Sequence, residues 1–188
     1  MARPLSDKKR SALMRAGTRV IATQGLGAQT AVIAREAGVA SGSFFTYFET
    51  KKVLFNELFL DLKAEMASAA LESLPRNASI RNQLFSVWSN WMHWAISDPD
   101  KRRALAQLSV SEEVTPETRT ASRKHTAGIA MLLEQCRAAG PMREASMSFV
   151  VSVMNSLAET TMDFMLHDPR NAEKHCLLGF EVLWRILK

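Results

Sequence analysis

Apolar side chains recur at intervals of three and four along most of this chain, a rhythm that predicts helices. Prolines punctuate it. Pro75, Pro99, Pro116, Pro141 and Pro169 stand between segments of helical period, and a proline is tolerated at a helix start but not inside one. They divide the later part of the chain into helices near 50–74, 78–97, 99–113, 116–139, 143–167 and 171–187. Several starts carry capping residues: Thr50, Ser79, Asp98 before Pro99, and Thr115 before Pro116 and Glu117. Arg137 and Gly140 suit the end of the helix that precedes Pro141. No segment alternates apolar and polar residues, and no Asn-Gly or Asp-Gly hairpin turn occurs. The expected fold is all-α, with about nine helices.

The first part reads as three shorter helices. Ser6 can cap the first, whose apolar face is Leu13, Ala16, Val20 and Ile21, and Gly25 and Gly27 end it. Thr30 caps the second, which carries Ile33, Ala34 and Ala37. Ser41 opens the third, with Phe44 and Phe48 as its buried face. Helix 30–37, a tight turn at Gly38 and helix 41–48 together have helix-turn-helix dimensions. The two helices of such a motif cross closely, so a small residue is needed at the crossing, and Ala34 supplies it. Four residues later the turn needs a glycine, because positive φ costs glycine little. Ile33, Ala37, Val39 and Phe44 fill the wedge between the helices. Residues 1–48 are thus expected to form a helix-turn-helix domain and residues 49–188 a larger helical bundle domain.

Charge gives this motif a partner. The chain carries a formal +5 over 188 residues. Residues 1–52 hold nine Lys/Arg against three acids, a surplus of six, so the rest of the chain sums to −1. A basic segment on a near-neutral body is what a phosphate backbone attracts. Double-stranded DNA is therefore the expected partner, with the second helix of the motif in the major groove.

The stretch from Thr30 to Phe55 then resembles the tetracycline-repressor (TetR) family of bacterial regulators. The resemblance rests on Ile33-Ala34, Ala37-Gly38-Val39, Ser41, Gly42, the aromatic pair Phe44-Phe45, Tyr47-Phe48, Lys51 and Leu54, and covers about the first 60 residues. It implies that Thr30 offers its hydroxyl and nearby amides to a phosphate. Ser41, Gly42, Ser43 and Thr46 would face the groove, Gly42 allowing close backbone approach. Tyr47 and Lys51 would grip flanking phosphates. Phe45 stands where the family often has tyrosine, and phenylalanine cannot hydrogen-bond a phosphate. The reading helix also lacks Arg, Lys, Asn and Gln, the side chains best suited to bidentate base readout. Specificity is left to Ser/Thr hydroxyls, thymine methyl groups, water or DNA shape.

One three-helix reader covers a single half-site, so a homodimer on a palindromic operator is expected. The resemblance assigns the last two helices to the interface. Phe149, Val153, Leu157 and Phe164 form the apolar stripe of one, and Leu177, Phe180, Leu183 and Trp184 that of the other. Trp88, Trp91 and Trp94 crowd two helical turns, and the chain has ten methionines. Such soft, large side chains suit a permissive pocket, and Trp88, Trp91, Met92, Met131 and Met154 are the expected lining for a small apolar effector, as the family implies. The same residues could simply be core.

Other chemistry is thinly supported. The four histidines have no histidine partner three or four residues away, so no metal site is expected. Asp163 and His167, four apart on one helix, could meet. No phosphate-binding loop, dinucleotide fingerprint or nucleophile elbow occurs, so no catalytic residue and no cofactor is assigned. Cys136 and Cys176 read as reduced core thiols in a cytoplasmic protein. The charged start lacks the apolar stretch of a secretory signal, and no run is apolar enough to span a membrane. The leading expectation is a repressor released from DNA by its effector. The alternatives are a dimeric regulator without an effector, and an all-helical enzyme using Trp88, Trp91 and His93, which leaves the basic N-terminus unexplained.

Overall fold

A computed structural model describes residues 6–188. Among the described residues there are nine α-helices and no strand: α1 (Asp7–Gln24), α2 (Thr30–Glu36), α3 (Phe44–Tyr47), α4 (Lys51–Ala70), α5 (Ile80–Ser97), α6 (Pro99–Ser109), α7 (Pro116–Arg137), α8 (Met147–His167) and α9 (Ala172–Leu187). Short 3-10 turns at Ser41–Ser43 and Pro169–Asn171 lead into α3 and α9. No helix is long and apolar enough to cross a membrane.

The expected caps operate at four starts. The Asp98 carboxylate accepts from the Lys101 amide at 3.2 Å, with Pro99 in the first helical turn. The Thr50, Ser79 and Thr115 hydroxyls accept from the Val53, Asn82 and Thr118 amides. Two caps differ from expectation. Ser6 takes the cap position of α1 without a side-chain bond, and Gln29, not Thr30, precedes α2. Helix α8 begins at Met147 rather than near 143. The Arg137 guanidinium reaches forward to the carbonyls of Met142, Arg143 and Ala145 at 2.7–2.9 Å and so holds the intervening turn.

The chain divides into two compact units. One comprises the chain up to Ala64 together with Asp98–Arg123; the other comprises Glu65–Ser97 and Lys124–Lys188. This division differs from the single cut expected after residue 48, because α6 packs along α1. In the first unit, Leu13, Ala16, Ile21, Ile33, Ala34, Phe44, Phe48, Leu54 and Phe55 are fully enclosed. Polar side chains tie its loops: the Gln107 amide donates to the Ile21 carbonyl at 3.1 Å, at the end of α1. Asn56 donates to the carbonyls of Lys52 and Glu113 and accepts from the Thr115 amide at 2.9 Å. The Arg119 guanidinium donates to the carbonyls of Ser109 and Ser111, both at 2.7 Å, where α6 ends.

In the second unit α5, α8 and α9 pack on one another. Trp88 is fully buried, and its indole N–H donates to the Cys176 carbonyl at 3.0 Å. Cys136 and Cys176 are free and buried, and burial pushes the Cys176 thiol up to about 11. It is therefore a poor nucleophile at neutral pH. Gly179 lets α9 pack closely on α5 and α8. A methyl group there would run into Thr161 Oγ1 and lie 3.0 Å from Trp88 Cζ2. Gly179→Ala is expected to lower stability by about 1–3 kcal/mol through overpacking, read as a fall in melting temperature by thermal unfolding.

Candidate nucleic-acid interface

The site is built on one local backbone event. Gly38 adopts φ +68°. Its amide donates to the Arg35 carbonyl at 3.1 Å, and the Val39 amide donates to the Ala34 carbonyl at 3.0 Å. This pair of bonds is the Schellman closure of a helix C-terminus, which requires a left-handed residue and so favours glycine. A Cβ at Gly38 would meet nothing within 4 Å. The glycine is thus needed for its dihedral angle, not for space. The chain reverses there, and residues 41–47 return as one helical stretch: a 3-10 turn at Ser41–Ser43, then α3.

That stretch has two faces. Phe44 and Phe48 are fully buried, with ring centroids 5.8 Å apart, and α3 packs against α2. Ser41, Gly42, Phe45 and Thr46 are exposed; Ser43 and Tyr47 are half-buried. A Cβ at Gly42 would meet nothing within 4 Å, so backbone is open to an approaching surface there. Ser41 also lines an open hollow of about 570 Å³ with Gln29, Val32, Arg35, Gly38 and Ala40. A surface of hydroxyls, exposed backbone and a guanidinium suits phosphates and base edges.

Two of the expected phosphate contacts have internal partners. The Tyr47 hydroxyl accepts from the Ser6 amide at 3.3 Å. Its own hydrogen remains available to donate. The Lys51 ammonium donates to the Leu26 carbonyl at 3.0 Å and the Ala28 carbonyl at 3.3 Å, and lies 5.5 Å from the Phe55 ring centroid. It therefore anchors the loop between α1 and α2 to the start of α4. Thr30 is half-buried in the first turn of α2. Arg35 and Gln29 were not singled out from the sequence. Arg35 sits six residues before Ser41 on α2, and only the reversal at Gly38 brings the two to one hollow.

The residues of the expected effector lining differ in exposure. Trp88, Met92 and Met154 are buried, Trp91 is half-buried and meets Trp88 edge to face at 6.2 Å, and Met131 is 64% exposed. The expected interface stripes also split. Phe149 and Phe164 on α8 are 55% and 56% exposed, and Leu177 on α9 is exposed. Val153, Leu157 and Trp184 are half-buried. Phe180 and Leu183 point inward instead, Phe180 against Phe85 with centroids 4.9 Å apart. The inward face of α9 runs through Cys176, Gly179, Phe180, Leu183 and Leu187, which places Leu178 and Val182 on the outside. His167 Nδ1 meets the backbone carbonyl of Asp163, at 2.7 Å. Among the described residues no group of three or more His, Cys, Asp or Glu is arranged to hold a metal ion.

Residues 13–58 match the family of bacterial regulatory proteins, tetR family. The chain is 32% identical over 88 residues to the uncharacterized HTH-type transcriptional regulator YhgD of Bacillus subtilis (strain 168), a stretch that spans 44% of this chain and 46% of that relative. Its fold is similar to the crystal structure of a protein described as a tetR family transcription regulator from Shewanella sp. PV-4, with TM-score 0.82 and 26% identity over 94% of this chain and 96% of that one. A TetR family regulator from Marinobacter aquaeolei VT8 superposes with TM-score 0.82 over 96% of both chains, at 22% identity. Residues 13–58 thus carry the sequence pattern of the TetR family, and the fold is similar to that of TetR family regulators.

The internal bonds of Lys51 set a test of its role. Losing charged hydrogen bonds to carbonyls costs about 2 kcal/mol, so Lys51→Met is expected to lower the melting temperature by about 4–8 °C. A lysine that only touches phosphate would leave the melting temperature unchanged and reduce the salt slope of DNA binding by about 1.

Proposed function

We propose that this chain is a cytoplasmic, DNA-binding transcriptional regulator that reads a palindromic operator as a homodimer. The observation that carries the proposal is the exposed stretch 41–47, projected by the reversal at Gly38 over the buried Phe44 and Phe48. Thr30, Ser41, Gly42, Ser43, Thr46 and Tyr47 are the proposed contacts, with Lys51 in a supporting position. The exposed cations Lys8, Lys9, Arg15, Arg35 and Lys52 supply the sequence-independent attraction to phosphate. The division of labour follows the sequence: DNA is read within residues 1–48, and the remainder serves dimerisation and regulation.

Dimerisation is assigned to the outer faces of α8 and α9. Phe149, Phe164, Leu177, Leu178 and Val182 leave large apolar surface in solvent, and a soluble chain covers such a patch with a partner. For regulation we propose a small apolar effector that binds one arrangement of the dimer better than the other, since a ligand shifts an equilibrium only by its differential affinity. Opposed to this is a regulator without an effector, and one observation favours it: Trp88 and Met92 are closed into core, with the indole N–H already satisfied.

Gel-shift of the chain on the DNA upstream of its own gene tests the reading. The expected result is a retarded complex whose affinity falls by about 10³-fold or more between 50 and 200 mM salt, as several phosphate contacts require. No complex at low salt, or a salt-independent one, would contradict it. Quenching of tryptophan fluorescence by members of a lipophilic panel is expected if an effector pocket opens beside Trp91; an unresponsive spectrum supports the effector-free alternative.

A further inference from the structure

Phe45 is the anomaly of the reading surface. It is 57% exposed, a large apolar ring on a helix whose other outward groups are hydroxyls and bare backbone. It is also held. Its ring meets Phe44 edge-on, with centroids 5.3 Å apart and planes at 75°, and Phe44 itself is fully buried. The phenyl group therefore stands on a fixed base in the middle of the exposed stretch, flanked by Ser41 and Gly42 on one side and Thr46 on the other.

A phenyl ring can neither donate to a phosphate nor pair with a base edge. The major groove displays one apolar group, the C5-methyl of thymine. The stretch 41–47 has no side chain able to make a bidentate bond to guanine or adenine, so shape-fitted apolar contact is the strongest sequence-dependent interaction that this stretch itself offers. The occupant must also be anionic overall, because the surrounding N-terminal segment is strongly basic. Duplex DNA meets both conditions. We propose that Phe45 is a specificity-determining residue that reads thymine by packing on its methyl group, which makes this chain a reader of thymine-bearing half-sites. The inference rests on the DNA-binding reading given above.

The test uses the full chain and the fragment upstream of its own gene, amplified once with dTTP and once with dUTP. Deoxyuridine keeps base pairing and removes only the methyl group. The wild type is expected to bind the thymine fragment more tightly, by about fourfold for each methyl contacted, the factor expected for burying one methylene-sized group. Phe45→Ala is expected to weaken binding to the thymine fragment and to bind both fragments equally. Phe45→Leu, which keeps an apolar side chain, is expected to retain part of the preference. The comparison between variants removes any effect of the substitution on DNA shape, which is the same for all of them. Because Phe45 is exposed, unchanged melting temperatures confirm that the variants fold. Equal binding of both fragments by the wild type, or a preference that survives in Phe45→Ala, overturns the inference while leaving DNA binding intact. No binding of either fragment at low salt overturns the DNA-binding reading, and the inference with it.

Discussion

The structure of the reading head depends on the left-handed turn at Gly38. The two bonds that close α2, from the Gly38 amide to Arg35 and from the Val39 amide to Ala34, exist only if residue 38 takes positive φ. With that angle fixed, the following helix returns against α2, in which Ala34 is fully buried. Phe44 and Phe48 are then buried, while Ser41, Gly42, Phe45 and Thr46 face outward. One dihedral angle thus decides which side chains meet solvent.

The proposed reading surface needs a firm support, and side-chain bonds within the first unit tie its helices and loops together. Helix α6 lies along α1, and Gln107 closes the last turn of α1. Lys51 bonds the loop that leads into α2, Asn56 bridges α4 to the loop before α7, and Arg119 caps α6. Each of these side chains donates to backbone carbonyls at a helix end or in a loop. The basic character of the N-terminal segment is only partly spent inside the fold: Arg10 and Arg19 pair with Glu57 and Glu36, while Lys8, Lys9, Arg15, Arg35 and Lys52 remain exposed. Rigidity and long-range attraction are carried by different residues of the same unit.

Local features of this architecture were legible in the sequence. The proline breaks, the caps at Thr50, Ser79, Asp98 and Thr115, and the turn at Gly38 all act within a few residues, where sequence and structure are tightly linked. The burial of Ala34, Phe44 and Phe48 followed from spacing alone. Long-range choices were not legible. Nothing local says that Lys51 bonds Leu26 and Ala28, that α6 joins the N-terminal helices, or that α9 turns Phe180 and Leu183 inward and Leu178 and Val182 outward. An amphipathic stripe fixes that a helix has an apolar face, but α9 is apolar over most of its circumference, so packing decides which part is core. Trp88 was equally open to pocket or core until its N–H found the Cys176 carbonyl.

The central claim is that residues 41–47 meet DNA and the rest of the head supports them. Amide hydrogen exchange of the full chain, free and saturated with its own upstream DNA at low salt, tests this most directly. The expected result is slowed exchange concentrated in residues 29–47, with the amides of Ser41, Gly42 and Ser43 among the most protected. Unchanged exchange there, with protection confined to other helices, would contradict it.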